Sequence, residues 1–254
     1  MILVFVAAFL CRRNAGVCKK ILKIVPSVQV ENLVKAAPFK YRTEPIKLFT
    51  FSEEYSLKEW EKKIFKSEVS YEIEKNEALS YVRAISDSSA SAMYYKIKVD
   101  SKTRRPVISW KWRVDKFPGK IATENISAES EDDFAARVYV IFMAKFILNS
   151  KVLEYIWTET IPAGSAGNSP YSKNIKLIVL RTGKAKEGEW YQEERDILDD
   201  YNKVFGEAPE HDIGAIAFMT NTEHTATSAD AMYDDIRLGY MEDNSKKIAR
   251  RGGP

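Results

Sequence analysis

The strongest constraint on the fold is a two-residue alternation within residues 132–144, which read DDFAARVYVIFMA. Val138 and Phe142 fall on one side of an extended chain, whereas Arg137 and Tyr139 fall on the other. This pattern predicts a central β-strand. One of its sides belongs to a core, and the other side carries a guanidinium and a phenol.

Short segments with the same alternation of apolar and polar residues recur along the chain, and clusters of polar, turn-forming residues separate them. About ten short strands without a strand–helix–strand rhythm predict two packed antiparallel sheets, that is, an all-β sandwich. The other predicted strands are residues 46–51, 69–73, 79–85, 92–99, 107–114, 152–159, 175–180, 213–220 and 231–238.

One α-helix is predicted late in the chain, over residues 190–205. Leu198, Tyr201 and Phe205 recur at helical spacing, and Gly206 suits the position that ends a helix. Glu194 lies in phase with the apolar stripe, near the predicted start of this helix, where the helix dipole favours a carboxylate.

The strand predicted at residues 107–114 places Trp110 and Trp112 on one side, together with aliphatic neighbours. Two tryptophans on one face suit either stacking on a sugar or packing in a core. Their apolar companions favour the core. The histidines His211 and His224 lie apart in predicted loops, and we expect both at the surface.

Composition limits the classes of partner and of metal site. The net charge is +3 with 30% charged residues, so no general attraction to nucleic acid is expected. Both cysteines, Cys11 and Cys18, precede the predicted folded body. A zinc site built from thiolates is therefore not expected within that body.

The predicted organisation has four parts: a leader at residues 1–18, an arm at 19–45, a β-sandwich domain at 46–241 and a disordered basic tail at 242–254. The apolar run at residues 1–10 is shorter than the about 20 residues that span a bilayer, so no integral membrane span is predicted. Its length suits a truncated export signal, which implies a periplasmic or secreted protein. If the leader is not a signal, it is the N-terminal arm of a cytoplasmic protein.

Several motifs in order resemble a bacterial family of domains of unknown function, the one numbered three-zero-four-seven. The motifs are DDFAARVY at 132–139, WKW at 110–112, YIW at 155–157, SPY at 169–171, Trp190 with ERD at 194–196, DDY at 199–201 with FG at 205–206, and YDDI at 233–236. The resemblance spans residues 46–240 and implies an exported protein without an assigned activity. The sequence departs from the family at residues 220–225, TNTEHT, where an aspartate-rich loop is expected, and this weakens a cation site there.

The ends of the predicted domain are similar to the first and last strands of galactose-binding-like jelly rolls, a fold that many carbohydrate-binding modules share. Residues 48–53, Trp60 and residues 234–236 carry this likeness. It implies a structural calcium ion held by Asp235, Asp234 and Glu53. The alternative for Asp235 is an ion pair with Arg237, and the in-phase neighbours of Asp234 predict a buried carboxylate that needs a partner.

A ligand site is predicted on the outer side of the central strand and on the loops beside it. Arg137 and Tyr139 would contact a carboxylate or sugar hydroxyls, and Trp157 and Tyr171 would stack on sugar rings. The alternative for Arg137 is a cross-strand ion pair with Glu154.

Two acidic residues complete the predicted site. Asp133 lies at the start of the central strand. Glu194 is either stabilised only by the helix dipole or forms an ion pair with Arg137 beneath the cleft. These residues predict a glycan-binding protein of the bacterial envelope or exterior that does not turn its ligand over. Two alternatives stay open: a glycan-active hydrolase or lyase that uses Asp133 and Glu194, and a structural envelope protein in which every aromatic residue belongs to the core.

Overall fold

The computed structural model describes residues 39–53, 56–75, 79–120, 124–184, 186 and 188–242. The predicted leader, the first part of the arm and almost all of the basic tail lie outside these residues. The described part of the chain holds no helix with the length and apolarity to traverse a lipid bilayer.

Thirteen strands and one α-helix make up the regular structure of the described residues. The strands are β1 (Thr43–Phe49), β2 (Glu61–Ile64), β3 (Ser70–Lys75), β4 (Ser80–Asp87), β5 (Ala90–Val99), β6 (Pro106–Lys116), β7 (Ala136–Phe142), β8 (Lys151–Thr158), β9 (Ala166–Ser169), β10 (Ser172–Thr182), β11 (Tyr191–Asp196), β12 (Ile213–Asn221) and β13 (Ser228–Met241). The helix α1 is Ile197–Phe205, and short 3-10 turns lie at Ser56–Glu59, Glu129–Glu131 and Ile147–Asn149.

The strands form two sheets, and this confirms the predicted all-β sandwich of jelly-roll type. The six-stranded sheet has the order β11-β6-β13-β4-β3, with β1 also paired to β13. The seven-stranded sheet has the order β2-β5-β12-β7-β8-β10-β9. The predicted central strand, β7, is the middle member of the seven-stranded sheet.

One pairing differs from the predicted antiparallel pattern, because β10 runs parallel to β8. A parallel neighbour requires a long return connection. Residues 159–171 supply it, and they include β9, which pairs antiparallel with β10 on its other side.

The core between the sheets contains the residues whose alternation predicted it. Val138 and Phe142 face this core from β7, and Trp110 and Trp112 face it from β6 without any exposed surface. The interpretation of both tryptophans as core residues is therefore confirmed. The two indoles contact each other edge to face, with ring centroids 5.3 Å apart, and this contact stabilises the core beyond the effect of burying the rings.

The outer face of the seven-stranded sheet is also covered, and the prediction of an open face there is wrong. Tyr139 and Leu177 belong to a second cluster of buried residues on this side. Phe134 and Ile126, both from the connection between β6 and β7, pack against the same cluster. A loop with few apolar residues thus shields the sheet face that carries Arg137.

The predicted helix at residues 190–205 is correct only in its second half. Residues Tyr191–Asp196 form β11, which pairs antiparallel with β6. The helix begins after Asp196, whose side chain accepts hydrogen bonds from the backbone N–H groups of Leu198 and Asp199, as an N-cap does. It ends where predicted, since Gly206 has a φ of 74° and closes the last turn.

Candidate functional site

Arg137 lies at the start of β7 in a buried ion-pair network. Its Nη1 donates to Glu154 Oε1 at 2.7 Å, and its Nη2 lies 3.2 Å from Asp132 Oδ1. Nη2 also donates to the backbone carbonyl of Asp132. The guanidinium is 0% exposed. The ion pair with Glu154 is thus the arrangement observed, and the predicted exposure of Arg137 to a ligand is wrong.

Burial sets the electrostatics of this network. Loss of water raises the pKa of the Asp132 and Glu154 carboxyl groups, and the attraction of Arg137 opposes that rise. The phenol of Tyr139 accepts a hydrogen bond from Arg137 Nη1 at 3.4 Å, and it is buried as well. Neither Arg137 nor Tyr139 is accessible to a ligand in this structure.

Asp133 organises the loop that follows β12 and is itself inaccessible. Its Oδ2 accepts hydrogen bonds from the N–H groups of His224 and Thr225 and from the Thr225 hydroxyl. Its Oδ1 accepts one from Asn221 Nδ2 at 2.9 Å. With no exposed surface, Asp133 does not offer the ligand contact predicted for it.

His224 lies beside three other polar side chains, so the prediction of an isolated histidine is wrong. Its Nε2 is 2.8 Å from the Tyr171 hydroxyl, which makes Tyr171 a half-buried residue at the rim of the network. The same nitrogen is 3.6 Å from Glu223 Oε1. Burial raises the pKa of Glu223 to about 7. Asp133, Glu223 and His224 each offer one ligand atom within 4.8 Å of the others, a set that could hold a metal ion.

Glu194 lies on the other sheet, in β11, and not at a helix start. Its Oε2 accepts hydrogen bonds from the backbone N–H groups of Lys40 and Tyr41, at 2.5 and 3.3 Å. The predicted pairing with Arg137 is wrong, because Arg137 is neutralised by Asp132 and Glu154. Glu194 instead lines a groove of about 250 Å³ beside Tyr41 and Arg237.

The residues predicted to hold calcium have several partners of their own. Asp235 accepts from Arg237 at 2.8 Å and lies 3.0 Å from Lys111 Nζ, which agrees with the predicted ion pair. Asp234 is buried, and its Oδ1 has no hydrogen-bond partner within the described residues. Glu53 lies in an exposed turn that Ser56 closes. Calcium at these three residues stays a prediction.

Trp157 lies beneath an open cleft at the rim between the two sheets, but it is only 2% exposed and belongs to the core, so it does not present the sugar-stacking face predicted for it. Its indole N–H donates to the Gly183 carbonyl at 2.9 Å, and its ring meets the edge of Tyr191 at a centroid distance of 5.2 Å. The cleft has a volume of about 310 Å³. The other residues that line it are Pro162, Ala163, Leu180, Arg181, Thr182 and Lys184.

Arg181 and Tyr191 form the polar and aromatic wall of this cleft. The guanidinium carbon of Arg181 lies 4.0 Å from the centre of the Tyr191 ring, within the range of a cation–π contact. Arg181 Nε donates to Glu193 Oε1 at 2.5 Å, and this bond holds the guanidinium in place. Reasoning from the sequence missed both residues, because the segment around Tyr191 was interpreted as helix and Arg181 follows a predicted strand.

Comparison with solved structures returns proteins of low identity to this chain. A tailspike protein 4 domain of bacteriophage CBA120 is 7% identical with a TM-score of 0.41, and the match covers 76% of this chain but only 22% of that one. A family 11 carbohydrate-binding module from Clostridium thermocellum is 11% identical with a TM-score of 0.35, covering 73% of this chain and 91% of that one. A variant of the Cel12A cellulase of Rhodothermus marinus is 12% identical with a TM-score of 0.41, covering 72% and 97%.

No protein with a curated functional description matches the sequence. One family model does, over residues 58–237, which is most of the chain. The resemblance predicted from the motifs is thereby confirmed, and the chain belongs to the family described as proteins of unknown function, DUF3047.

Proposed function

We propose that the protein binds a glycan, without turning it over, in the cleft beside Trp157. The observation that carries the proposal is the wall formed by Arg181 stacked on Tyr191 in an open cavity of about 310 Å³. Aromatic rings supply apolar surface for the faces of sugar rings, and a fixed guanidinium supplies directed donors for hydroxyl or carboxylate oxygens. The volume is at the small end of ligand pockets, which suits a short glycan or the end of a longer one.

The charges at the cleft favour an acidic sugar. Arg181 uses its Nε for Glu193, which leaves the two terminal nitrogens as donors for a ligand. Lys184 adds a second cation, with 78% of its side chain exposed and Glu159 3.7 Å away. Because Glu193 pairs closely with Arg181, Lys184 is the less tightly paired cation, and it is the group that would meet a uronic acid or another anionic group on the glycan.

The cleft supports binding rather than hydrolysis. Glycoside hydrolysis uses a pair of carboxyl groups about 5 to 10 Å apart that face one cleft. Two carboxylates, Glu193 and Glu159, stand beside this cleft without lining it, and each lies next to a cation of the cleft wall. Asp133 is sealed in the buried network, and Glu194 bonds to the backbone of residues 40 and 41 on the other sheet. We include in this proposal that the protein acts in the bacterial envelope or outside the cell, where glycans are available as ligands.

A glycan array probed with the full chain and with two variants tests this function. We expect the wild-type protein to bind a set of acidic glycans, and Tyr191→Ala and Arg181→Ala to lose at least tenfold in affinity by calorimetry. Phe146→Ala is the matched control, since Phe146 is 72% exposed on the turn between β7 and β8 and lies outside the cleft. Each measurement is repeated with calcium and with a chelator.

Binding that survives in Tyr191→Ala would contradict the cleft as the site. An absence of binding to every glycan, with calcium and without it, would favour the structural alternative.

A further inference from the structure

We infer that Asp133, Glu223 and His224 form a binding site for a divalent transition-metal ion, of which Zn²⁺ is the simplest example. The three residues come from two distant segments, the entrance of β7 and the loop after β12, and the fold brings them together where these two central strands of the seven-stranded sheet begin and end. The site is distinct from the cleft beside Trp157 and does not depend on the proposed function.

The spacing of the donor atoms is compatible with one shared ion. The three ligand atoms all lie within 4.8 Å of one another, and His224 Nε2 is 3.6 Å from Glu223 Oε1. Zinc binds nitrogen and oxygen at about 2.0–2.2 Å, so two ligands at tetrahedral angles are roughly 3.3 Å apart. Small side-chain movements would bring the trio to that separation.

A second observation points to a ligand at the same place. The Glu223 side chain is 4% exposed, and its Oε1 has no hydrogen-bond partner among the described residues. Its other oxygen accepts from Asn221 Nδ2 at 2.8 Å. A buried carboxylate oxygen without a donor is costly, and a bound cation is one of the few partners that removes the cost. The oxygen without a donor is the one nearest to His224 Nε2.

The surrounding charge also favours a cation. Asn221 Nδ2 donates to Asp133, to Glu223 and to the carbonyl of Asp132, so these acids form one connected network. Arg137 is the guanidinium that contacts it, and its charge is shared between Asp132 and Glu154. Lys66 Nζ donates to the backbone carbonyl of Glu223 at 3.0 Å, so a second cation stands close to the site. A dication would compensate the Asp133 and Glu223 carboxylates, which form no ion pair with Arg137 or Lys66 among the described residues.

The donor set selects the kind of metal. Calcium and magnesium take oxygen ligands, whereas an imidazole nitrogen with carboxylates suits Zn²⁺ and its first-row neighbours. Asp133 already accepts four hydrogen bonds, so Glu223 and His224 are the ligands whose loss is diagnostic. His224 keeps 21% of its side chain exposed, which gives an ion a path from solvent. Tyr171 must release Nε2 when the metal binds.

The test uses Zn²⁺ itself and the full chain, with Cys11 and Cys18 replaced by serine so that no thiolate binds the ion. The sequence contains two histidines, so His211→Ala is a matched control for His224→Ala. Titration against a chromophoric chelator at pH 7.5 should show one Zn²⁺ per chain in the parent and in His211→Ala. We expect a loss of at least tenfold in His224→Ala and in Glu223→Gln, the second of which preserves side-chain shape.

X-ray absorption of the zinc-loaded protein should show nitrogen and oxygen neighbours without sulfur. Zn²⁺ should also raise the melting temperature of the parent and of His211→Ala, but not of His224→Ala. The inference is overturned if the parent fails to bind Zn²⁺ below about 100 µM. It is also overturned if His224→Ala and Glu223→Gln bind as tightly as His211→Ala, or if Ca²⁺ gives the same stabilisation in all of these chains.

Discussion

The guanidinium of Arg137 lies 2.7 Å from the carboxylate of Glu154, and neither side chain reaches solvent. The two residues stand on neighbouring strands, β7 and β8, under the connection that covers the outer face of the seven-stranded sheet. Phe134 closes this arrangement, since its ring lies 4.6 Å from the guanidinium carbon. The face of β7 that carries Arg137 and Tyr139 is therefore buried, and its charged groups pair inside the protein.

Removal of Arg137 alone should be strongly destabilising. Arg137→Met leaves Asp132 and Glu154 buried without a cation, so we expect a loss of about 3–5 kcal/mol in the free energy of unfolding. Arg137→Met with Glu154→Met should recover part of that loss. Urea unfolding followed by tryptophan fluorescence measures both. Arg104→Met, which removes an exposed ion pair with Glu44 and a cation–π contact with Tyr240, is the control and should cost about 1 kcal/mol. Equal effects of Arg137→Met and Arg104→Met would contradict the prediction.

Asp234 should make the protein less stable as the pH rises from about 4 to about 7. Burial, with a smaller contribution from the neighbouring Asp235, raises the pKa of Asp234 from 3.8 to about 7. Between these values the unfolded chain releases the proton while the folded protein keeps it, so deprotonation favours unfolding. Asp234→Asn removes this penalty. We expect it to stabilise the protein by roughly 2–4 kcal/mol at pH 8 and by far less at pH 4.

The measurement is the difference in unfolding free energy between Asp234→Asn and the wild type, taken at both pH values in a chelating buffer. Other titrating groups act equally in both proteins and cancel in the difference. A gap that is the same at pH 4 and pH 8 would show that Asp234 titrates normally. A repeat of the wild-type measurement at pH 8 with calcium in place of the chelator tests the predicted calcium site.

Loss of the helix cap at Asp196 should loosen α1. Asp196→Ala removes the acceptor for the N–H groups of Leu198 and Asp199 and also the ion pair with the half-exposed Arg105, and we expect a cost of about 1–2 kcal/mol. Hydrogen exchange at the first turn of α1 should accelerate. Asp199→Ala is the control, because Asp199 only pairs with Lys203 at the surface. The prediction fails if the two variants are equally stable.

A methyl group at Gly239 should separate β1 from β13. A Cβ at this position would lie 2.8 Å from the backbone carbonyl oxygen of Glu44, and a backbone atom cannot rotate away. We expect Gly239→Ala to cost about 1–3 kcal/mol and to increase hydrogen exchange in β1. Gly119→Ala is the control, because its Cβ would meet the Thr227 side chain at 3.1 Å, where a small shift relieves the contact. Slow exchange in β1 of Gly239→Ala would refute this account.

The sequence predicts most of the framework because period-two alternation is a local signal. The two faces of β7, the burial of Trp110 and Trp112, and the stop at Gly206 all follow from residues within a few positions of each other. The start of α1 does not, because Glu194 and Leu198 fit a helical stripe as well as an alternating strand. Pairing of β11 with β6, which decides between them, is a long-range contact.

The candidate sites were harder to predict, because they depend on the connections. Nothing local indicates that Ile126 and Phe134 fold over the sheet face that carries Arg137, and the burial of Phe134 is what seals that face. His224 meets Tyr171 and Asp133 across 53 and 91 residues of chain. The cleft at Trp157 likewise joins ends of strands from different sheets. The acid-rich entrance to β7 is a local signal for the buried network around Asp133, but nothing local places Glu223 and His224 beside it.

The strand orders have a consequence for synthesis in the cell. In the seven-stranded sheet β12 stands between β5 and β7, and in the six-stranded sheet β13 stands between β4 and β6. Until the ribosome has released β12 and β13, earlier strands such as β5 and β7 have backbone N–H and C=O groups without their hydrogen-bond partners in the sheet. Nascent chains of this topology are exposed to aggregation for most of translation, so the protein should depend on a holding chaperone until its C-terminal strands emerge.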